Sequence, residues 1–335
     1  MRALIQCLDF KGRAMQKILT LLYSLIFVFG VSAVQAAYPE RSVRIVVPYP
    51  PGGPTDIQAR IIAQKLGERF GQTFVVENKP GAGGNIGTRA AAQADGDGYT
   101  VLLMTPAQVI NMRFYANPGY DLRQDFVPIG LISTAPALLL ANPKLGVKTV
   151  ADIVALAKQK PGVLVYASAG AGLSTHLMME LLKKTAGIDM VHAPYRGSAP
   201  ALAGLIAGDT SFLIDSMVSG LPQVKTGALT AIAVTSSTRS LSAPDIPTLS
   251  ESGLPGFDAI TWYGFMAPAK TSAEVVSKLA VEINLILQSP DIHKRFLEMG
   301  STPAVVNPQA FGQFLASEEK RWLEIVIESG AKVNE

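Results

Sequence analysis

The 335-residue sequence has one cysteine, three histidines and almost no charge imbalance, and each shortage excludes something. Cys7 has no second thiol to pair with, which removes disulfides and thiolate metal sites. His176, His192 and His293 are far apart and have no thiolate beside them, so no metal-ligand spacing emerges. Of 29 Lys and Arg and 26 Asp and Glu, four basic residues (Arg2, Lys11, Arg13, Lys17) and one acid (Asp9) fall in the first 36 positions, so the remainder carries 25 of each sign. With no basic field, nothing points to nucleic acid or anionic lipid. Beyond residue 36 there is no second long apolar span, no long internal repeat and no low-complexity segment.

The N-terminus has the pattern of an export signal. Four basic residues precede an uncharged apolar stretch over 18–34, and Val34, Gln35 and Ala36 fit a signal-peptidase site. The densest apolar core, 18–29, is 12 residues long, short of the ~20 that span a bilayer. Residues 1–36 are therefore expected to be a cleaved signal peptide, with Met15 an alternative start, and the protein is expected to be exported. Cys7 leaves with the leader. The remaining 299 residues, 335 less 36, suffice for two domains of ordinary size.

The mature chain is organised around residues 43–66. The β-branched run 43–47 reads as a buried strand. Pro48, Pro50 and Pro51 stop it, because proline donates nothing to a ladder. Gly52 and Gly53 allow a tight path, and Pro54 suits the first position of a helix. Asp56 favours the positive end of that helix, whose apolar side is Ile57, Ile61, Ile62 and Leu66. A strand, a glycine turn and a helix N-terminus together present free backbone N–H groups to an anion, although most such turns in α/β proteins bind nothing.

The same alternation continues, with strands at 74–77 and 99–104, a helix at 85–94 and an irregular 111–125. A strand at 135–141 leads to a middle segment with its own β-loop-α series. Strands at 163–166, 190–193, 210–214 and 229–234 are separated by helices at 174–184 and 199–207, after a helix at 150–158. The run 259–267 reads as a strand crossing back. Helices at 273–287, 290–299 and 308–329 and a strand at 303–306 close the chain. The expected fold class is therefore α/β and two-lobed, with residues 37–138 and 262–335 in lobe 1 and 139–261 in lobe 2. Two crossings make a hinge, and the cleft between lobes is where ligands sit.

Glycine or small-residue loops fall at four strand-to-helix junctions: Gly52 and Gly53, 81–84, Ala169 to Gly172 through Gly170, and 196–198. Helices starting there aim N–H groups into one crevice, and Thr55, Thr105, Ser168, Ser174, Thr175 and Ser198 add hydroxyls. This is a surface for carboxylates. Enzyme readings have less support. The segment 81–87 has Ile86 where a dinucleotide loop needs its third glycine. The segment 172–176 lacks the second glycine of a nucleophile elbow. Ser174, His192 and Asp215 remain a conceivable triad, since triads are spatial, but no spacing supports it. His176 reads as an early-helix residue facing a cleft or capping a loop. Asp215 closes a strand, either as a helix cap, as an acceptor for a ligand ammonium or hydroxyl, or as an anchor for a loop.

Several segments together resemble the Bug family of periplasmic solute receptors, which serve tripartite tricarboxylate transporters. They are 45–56 (IVVPYPPGGPTD), 76–87 (VENKPGAGGNIG), 97–100 (DGYT), Gly172 with His176, Leu177 and Glu180, and Tyr195-Arg196-Gly197 with Pro200 and Ala201. The resemblance covers nearly all of 38–335. It implies a type II, Venus-flytrap periplasmic-binding-protein fold that closes on a small carboxylate and delivers it to integral membrane transporter subunits, with no cofactor, no metal and no catalysis. The carboxylate is then held by backbone amides and waters through the loop Tyr49 to Thr55, usually without a dedicated arginine. Facing contacts are expected from Thr105 and from Ser168 to His176, with Tyr195, Ser198 and Asp215 behind them. Tyr49 stands where the family often has phenylalanine, and Leu173 is bulkier than many relatives carry. A monomer is expected. An exported serine hydrolase and a ligand sensor for a membrane kinase are the alternatives.

Overall fold

Strand β1 (Val43–Val47) buries four of its five residues. It lies between β2 (Phe74–Asn78) and β3 (Thr100–Met104), parallel to both. The structure, a computed structural model, describes residues 38–330, and the expected signal peptide lies outside them. The fold set out here is that of the body from Arg41 onward. After β1 the prolines end the ladder, and helix α1 (Pro54–Phe70) opens with Pro54 in its first turn. Helix α2 (Asn85–Ala92) leads into β3.

Residues 111–125, expected to be irregular, are so over 115–121 but helical at both ends. They hold the end of α3 (Pro106–Phe114) and all of α4 (Leu122–Asp125). Thr105 and Gln108 form a capping box that starts α3, a signal hidden by the proline between them. Strand β4 (Phe126–Ala141) is also longer than the expected 135–141. Pro128, Gly130 and Pro136 look like breakers, but the strand absorbs the first two at register shifts against β9 (Ile260–Pro268).

Strand β4 joins two sheets. Residues Phe126 to Pro136 pair with β9, while Ala137 to Ala141 pair with β7 (Phe212–Ser216) and Leu138 to Ala141 also with β8 (Thr230–Val234). The first sheet runs β2-β1-β3-β9-β4, with the short β10 (Thr302–Pro303) also on β4. The second runs β4-β7-β5-β6, with β5 (Val165–Ser168) parallel to β7 and to β6 (Val191–Pro194). Strand β9 forms near its expected place and pairs with β3 and β4 of the first sheet. The strand expected at 303–306 shrinks to β10.

Helices α5 (Val150–Gln159), α6 (Ser174–Ala186) and α7 (Ser198–Ala207) fall close to expectation. Helix α8 (Met217–Lys225) was not expected, because Gly220 and Pro222 lie inside it. Ser216 caps it, and Gly220 lets it approach Leu138 and Leu140 of β4. Helices α9 (Ala273–Gln288), α10 (Pro290–Glu298) and α11 (Pro308–Ser329) close the chain.

Alternation along β4 separates two cores. Leu139 packs with Leu177, Leu182, Phe212 and Trp322, while Leu138 and Leu140 pack with Leu205 and Leu213. A third core, under the first sheet, holds Val46, Leu102, Met104, Trp262 and Phe311. A Cβ on Gly264 would overlap the Phe311 ring, so glycine is what lets α11 lie on β9. Among the described residues no helix is long and apolar enough to cross a membrane.

Candidate functional site

The segments that follow β1, β3, β5, β6 and β7 surround one cavity of about 70 Å³. Of the expected site residues, Tyr49, Gly53, Thr55 and Thr105 line it from the first sheet, and Ala169, Ser174, Thr175, Ser198 and Asp215 from the second. A wider chamber of about 530 Å³ adjoins it, with Gly170 and Tyr195 in its wall and Tyr49 and Ala169 shared by both. The inner cavity is the tighter of the two, and its wall has a distinctive chemistry.

Three helices begin there without a side-chain cap. Their N-cap residues are Gly53 for α1, Leu173 for α6 and Gly197 for α7. The first N–H groups of a helix have no partner within it, and they carry its positive end. Thr55, Ser174, Thr175 and Ser198, all buried, sit in those first turns. The Thr175 hydroxyl is buried with no hydrogen-bond partner. Among the described residues, the cavity wall has no lysine, arginine or histidine, and its ionisable side chains are Tyr49, Asp215 and Tyr263.

Side-chain bonds brace the first loop. The Tyr49 hydroxyl pairs with Thr105 Oγ1 at 2.8 Å and accepts from Gln108 Nε2 at 3.2 Å. Burial, opposed by those two bonds, pushes this phenol up to about 12, so it is neutral. Asn78 Nδ2 donates to the Tyr49 carbonyl and to Asp56 Oδ1, both at 3.0 Å. Burial works against the Asp56 carboxylate, but bonds from Arg60, Gly52 and Asn78 outweigh it and hold the carboxyl below its ordinary value. The Gly52 amide donates to Asp56 Oδ2 at 3.0 Å, and Gly52 lines neither chamber.

Ser168, Gly172 and His176 also line neither chamber, contrary to their expected role as contacts. They shape the loop from below. Ser168 Oγ pairs with His192 Nε2 at 2.6 Å and accepts from the Gly170 amide at 3.2 Å. The Gly172 amide donates to His176 Nδ1 at 3.2 Å. His176 and His192 stack with centroids 4.1 Å apart, and Tyr166 stacks on His192 at 4.8 Å. Burial, with Lys183 second, lowers His176 to about 4. Burial, with His176 second, lowers His192 to about 3. Both rings are neutral props at ordinary pH.

The conceivable triad is not assembled. His192 bonds Ser168 rather than Ser174, and Asp215 accepts from Ser198 and Ser219 rather than from a histidine. Asp215 is not a helix cap either, because Ser216 caps α8. The sequence reading missed Ser216, Thr261 and Tyr263 as lining residues, while Leu173, within the expected range Ser168 to His176, does line the cavity. Thr261 and Tyr263 are two apart on β9 and so share a face, a period-2 signal that the long apolar run obscured.

Two sheets threaded by one long strand, with helix N-termini gathered at the strand ends, define a two-lobed α/β solute receptor of the periplasmic-binding-protein type. The chain belongs to the tripartite tricarboxylate transporter receptor family, whose sequence model matches residues 58–331. Protein BugT of Bordetella pertussis is 36% identical over 323 residues, covering 95% of this chain and 99% of that protein. Among solved structures, R. palustris Rpa4515 with adipate superposes with a TM-score of 0.86 at 34% identity, over 88% of this chain and 99% of that one. MatC from Rhodopseudomonas palustris with bound malate gives a TM-score of 0.82 at 30% identity, over 86% and 100%.

Proposed function

We propose that this receptor captures a small carboxylate in the inner cavity and delivers it to integral membrane subunits of a tripartite transporter. One observation carries the reading: three uncapped helix N-termini converge on a wall that has no basic side chain. Such a wall neutralises an anion with fixed dipoles, which need no reorganisation as the ligand arrives. Adipate and malate in the two related structures support the same class of ligand. The ligand contacts are Gly53, Thr55, Thr105, Ser174, Thr175 and Ser198. Lobe 1 is 37–138 with 262–335 and lobe 2 is 139–261, and the protein is an exported monomer freed of its first 36 residues. Binding energy gained only in the closed form drives closure.

Isothermal calorimetry of the purified mature chain against a panel of mono-, di- and tricarboxylates tests this. At least one acid is expected to bind with about micromolar affinity, worth about 8 kcal/mol. Saturable binding confined to uncharged solutes would overturn the reading. Co-purification with a membrane kinase instead of transporter subunits would overturn the proposed partner.

A further inference from the structure

The inner cavity contains a feature that an anion site does not need. Asp215 is 2% exposed and lines the cavity together with the uncapped helices. Its Oδ2 accepts from Ser198 Oγ and, at 2.8 Å, from Ser219 Oγ. Among the described residues no side chain donates to Oδ1. The Ser216 amide also donates to the carboxyl group, so backbone and hydroxyls together fix it where it borders the cavity.

Among the described residues, the groups around Asp215 offer it no countercharge. Ser198 on α7 and Ser219 on α8 are neutral. Leu138 on β4 stands opposite in the ladder. The titratable neighbours across the cavity are the phenols Tyr263 on β9 and Tyr49 after β1. An acid entering this space therefore shares it with a carboxyl group. A ligand atom that donates a hydrogen bond turns that proximity into an attraction, whereas a bare carboxylate or methylene chain does not.

We propose that Asp215 is the specificity-determining residue of the cavity and selects acids that carry a hydrogen-bond donor, a hydroxyl or an ammonium group, on the carbon chain. An acid without a donor binds only as Asp215 takes up a proton. The inference rests on the carboxylate-receptor reading and narrows its substrate class. Burial already draws the Asp215 carboxyl up to about 6 against the pull of the Ser198 and Ser219 hydroxyls and the Ser216 amide, so the proton is within reach of mildly acidic conditions.

Calorimetry with matched acids tests it: succinate against malate and aspartate, and adipate against 2-aminoadipate. At about pH 8 the donor-bearing acid of at least one set is expected to bind at least about tenfold more tightly than its donor-free parent. At about pH 5.5 the gap narrows, and as pH rises above about 6 binding of the parent shows heat that changes increasingly with the ionisation enthalpy of the buffer. Asp215→Asn closes the gap at the higher pH, and the wild-type pH series stands without that variant. Equal or tighter binding of the donor-free parent in both sets at the higher pH overturns the inference alone. So does a gap that Asp215→Asn leaves intact. No binding by any acid, of either kind and at either pH, overturns the receptor reading and this inference with it.

Discussion

Helices α5 and α6 pack into the same core yet begin in opposite ways. Val150, Ile153 and Ala157 of the first and Leu177, Met178 and Leu182 of the second belong to one buried cluster. Helix α5 is closed by a full capping box, with Thr149 and Asp152 satisfying each other's backbone N–H groups. Helix α6 begins at Leu173, which caps nothing. The backbone does not explain the difference, since both N-cap residues are extended, φ −132° and ψ 162° at Thr149 and φ −75° and ψ 157° at Leu173. Leu173 could be a serine or an aspartate without strain. In the proposed function the missing cap leaves the first N–H groups of α6 available to the ligand.

Acid breaks that arrangement from beneath. His176 accepts the Gly172 amide as a neutral ring, and its value near 4 lies below the ordinary 6.5. The unfolded chain therefore binds the proton more readily between those values, and stability is present above about pH 6.5 and lost as pH falls through 4. The shift corresponds to about 3 kcal/mol for this group. Asp215 works in the opposite sense: its raised value favours the folded state below the ordinary carboxyl range and loses that advantage as pH rises through about 6. Urea unfolding between about pH 7 and 4 is expected to show a loss that shrinks in His176→Asn and grows in Asp215→Asn. Identical pH profiles for wild type and His176→Asn would remove the histidine prop from the account.

Closing α6 is the direct attack on the comparison. Leu173→Asp places a carboxylate on the open first turn, where it caps the helix for about 1 kcal/mol. It also occupies the place proposed for the ligand's charge, so calorimetric affinity for a captured acid is expected to fall at least about a hundredfold. Burial of Leu173, worth about 1.5–3 kcal/mol, is lost at the same time and outweighs the cap, so net stability falls by about 1–2 kcal/mol. Undiminished affinity would show that α6 does not face the ligand. Thr175→Val sharpens the point with a smaller effect. It deletes a buried hydroxyl that has no partner, so the free protein is unchanged or slightly more stable. Affinity is expected to drop about tenfold if that hydroxyl bonds the ligand. Gly53→Val is similar in size. The nearest atoms to a Cβ at Gly53 are the Pro50 carbonyl at 3.8 Å and Ser198 Cβ at 3.9 Å, so a methyl fits but a branched side chain intrudes between the two sheets' loops.

How much of this was legible in the chain depends on the kind of signal. β1, its proline stop and α1 were plain, because strand, breaker and helix start fall on consecutive residues. The inner cavity's loops were found from glycines and hydroxyls at strand ends. Burial of individual hydroxyls was not legible: Ser168 and Ser174 look alike in sequence, yet one is consumed by His192 and the other faces the cavity. Gly52 looks freer than Gly53, yet its amide is spent on Asp56, through a contact that only the closed turn creates. The length of β4 was hidden for a further reason. Prolines and glycines that end an isolated strand are tolerated where a partner strand shifts register around them, and the partner, β9, lies more than a hundred residues away.

The smallest expected effect is on the capped side of the comparison. Thr149→Ala removes the side chain that accepts from the Asp152 amide at 3.1 Å, and it releases the carboxylate that receives the Thr149 amide at 2.9 Å. The pair is exposed, so water replaces part of what is lost, and the change in unfolding free energy is expected to be about 1 kcal/mol. Binding should be untouched, because Thr149 lines neither chamber. The value of this variant is as a counterpart to Leu173→Asp. Losing a cap on α5 lowers stability and spares affinity, while gaining one on α6 destroys affinity. If Thr149→Ala also weakened acid binding, the two helix starts would not be doing separate jobs, and the open N-terminus of α6 would have to be explained by the packing of Leu173 alone.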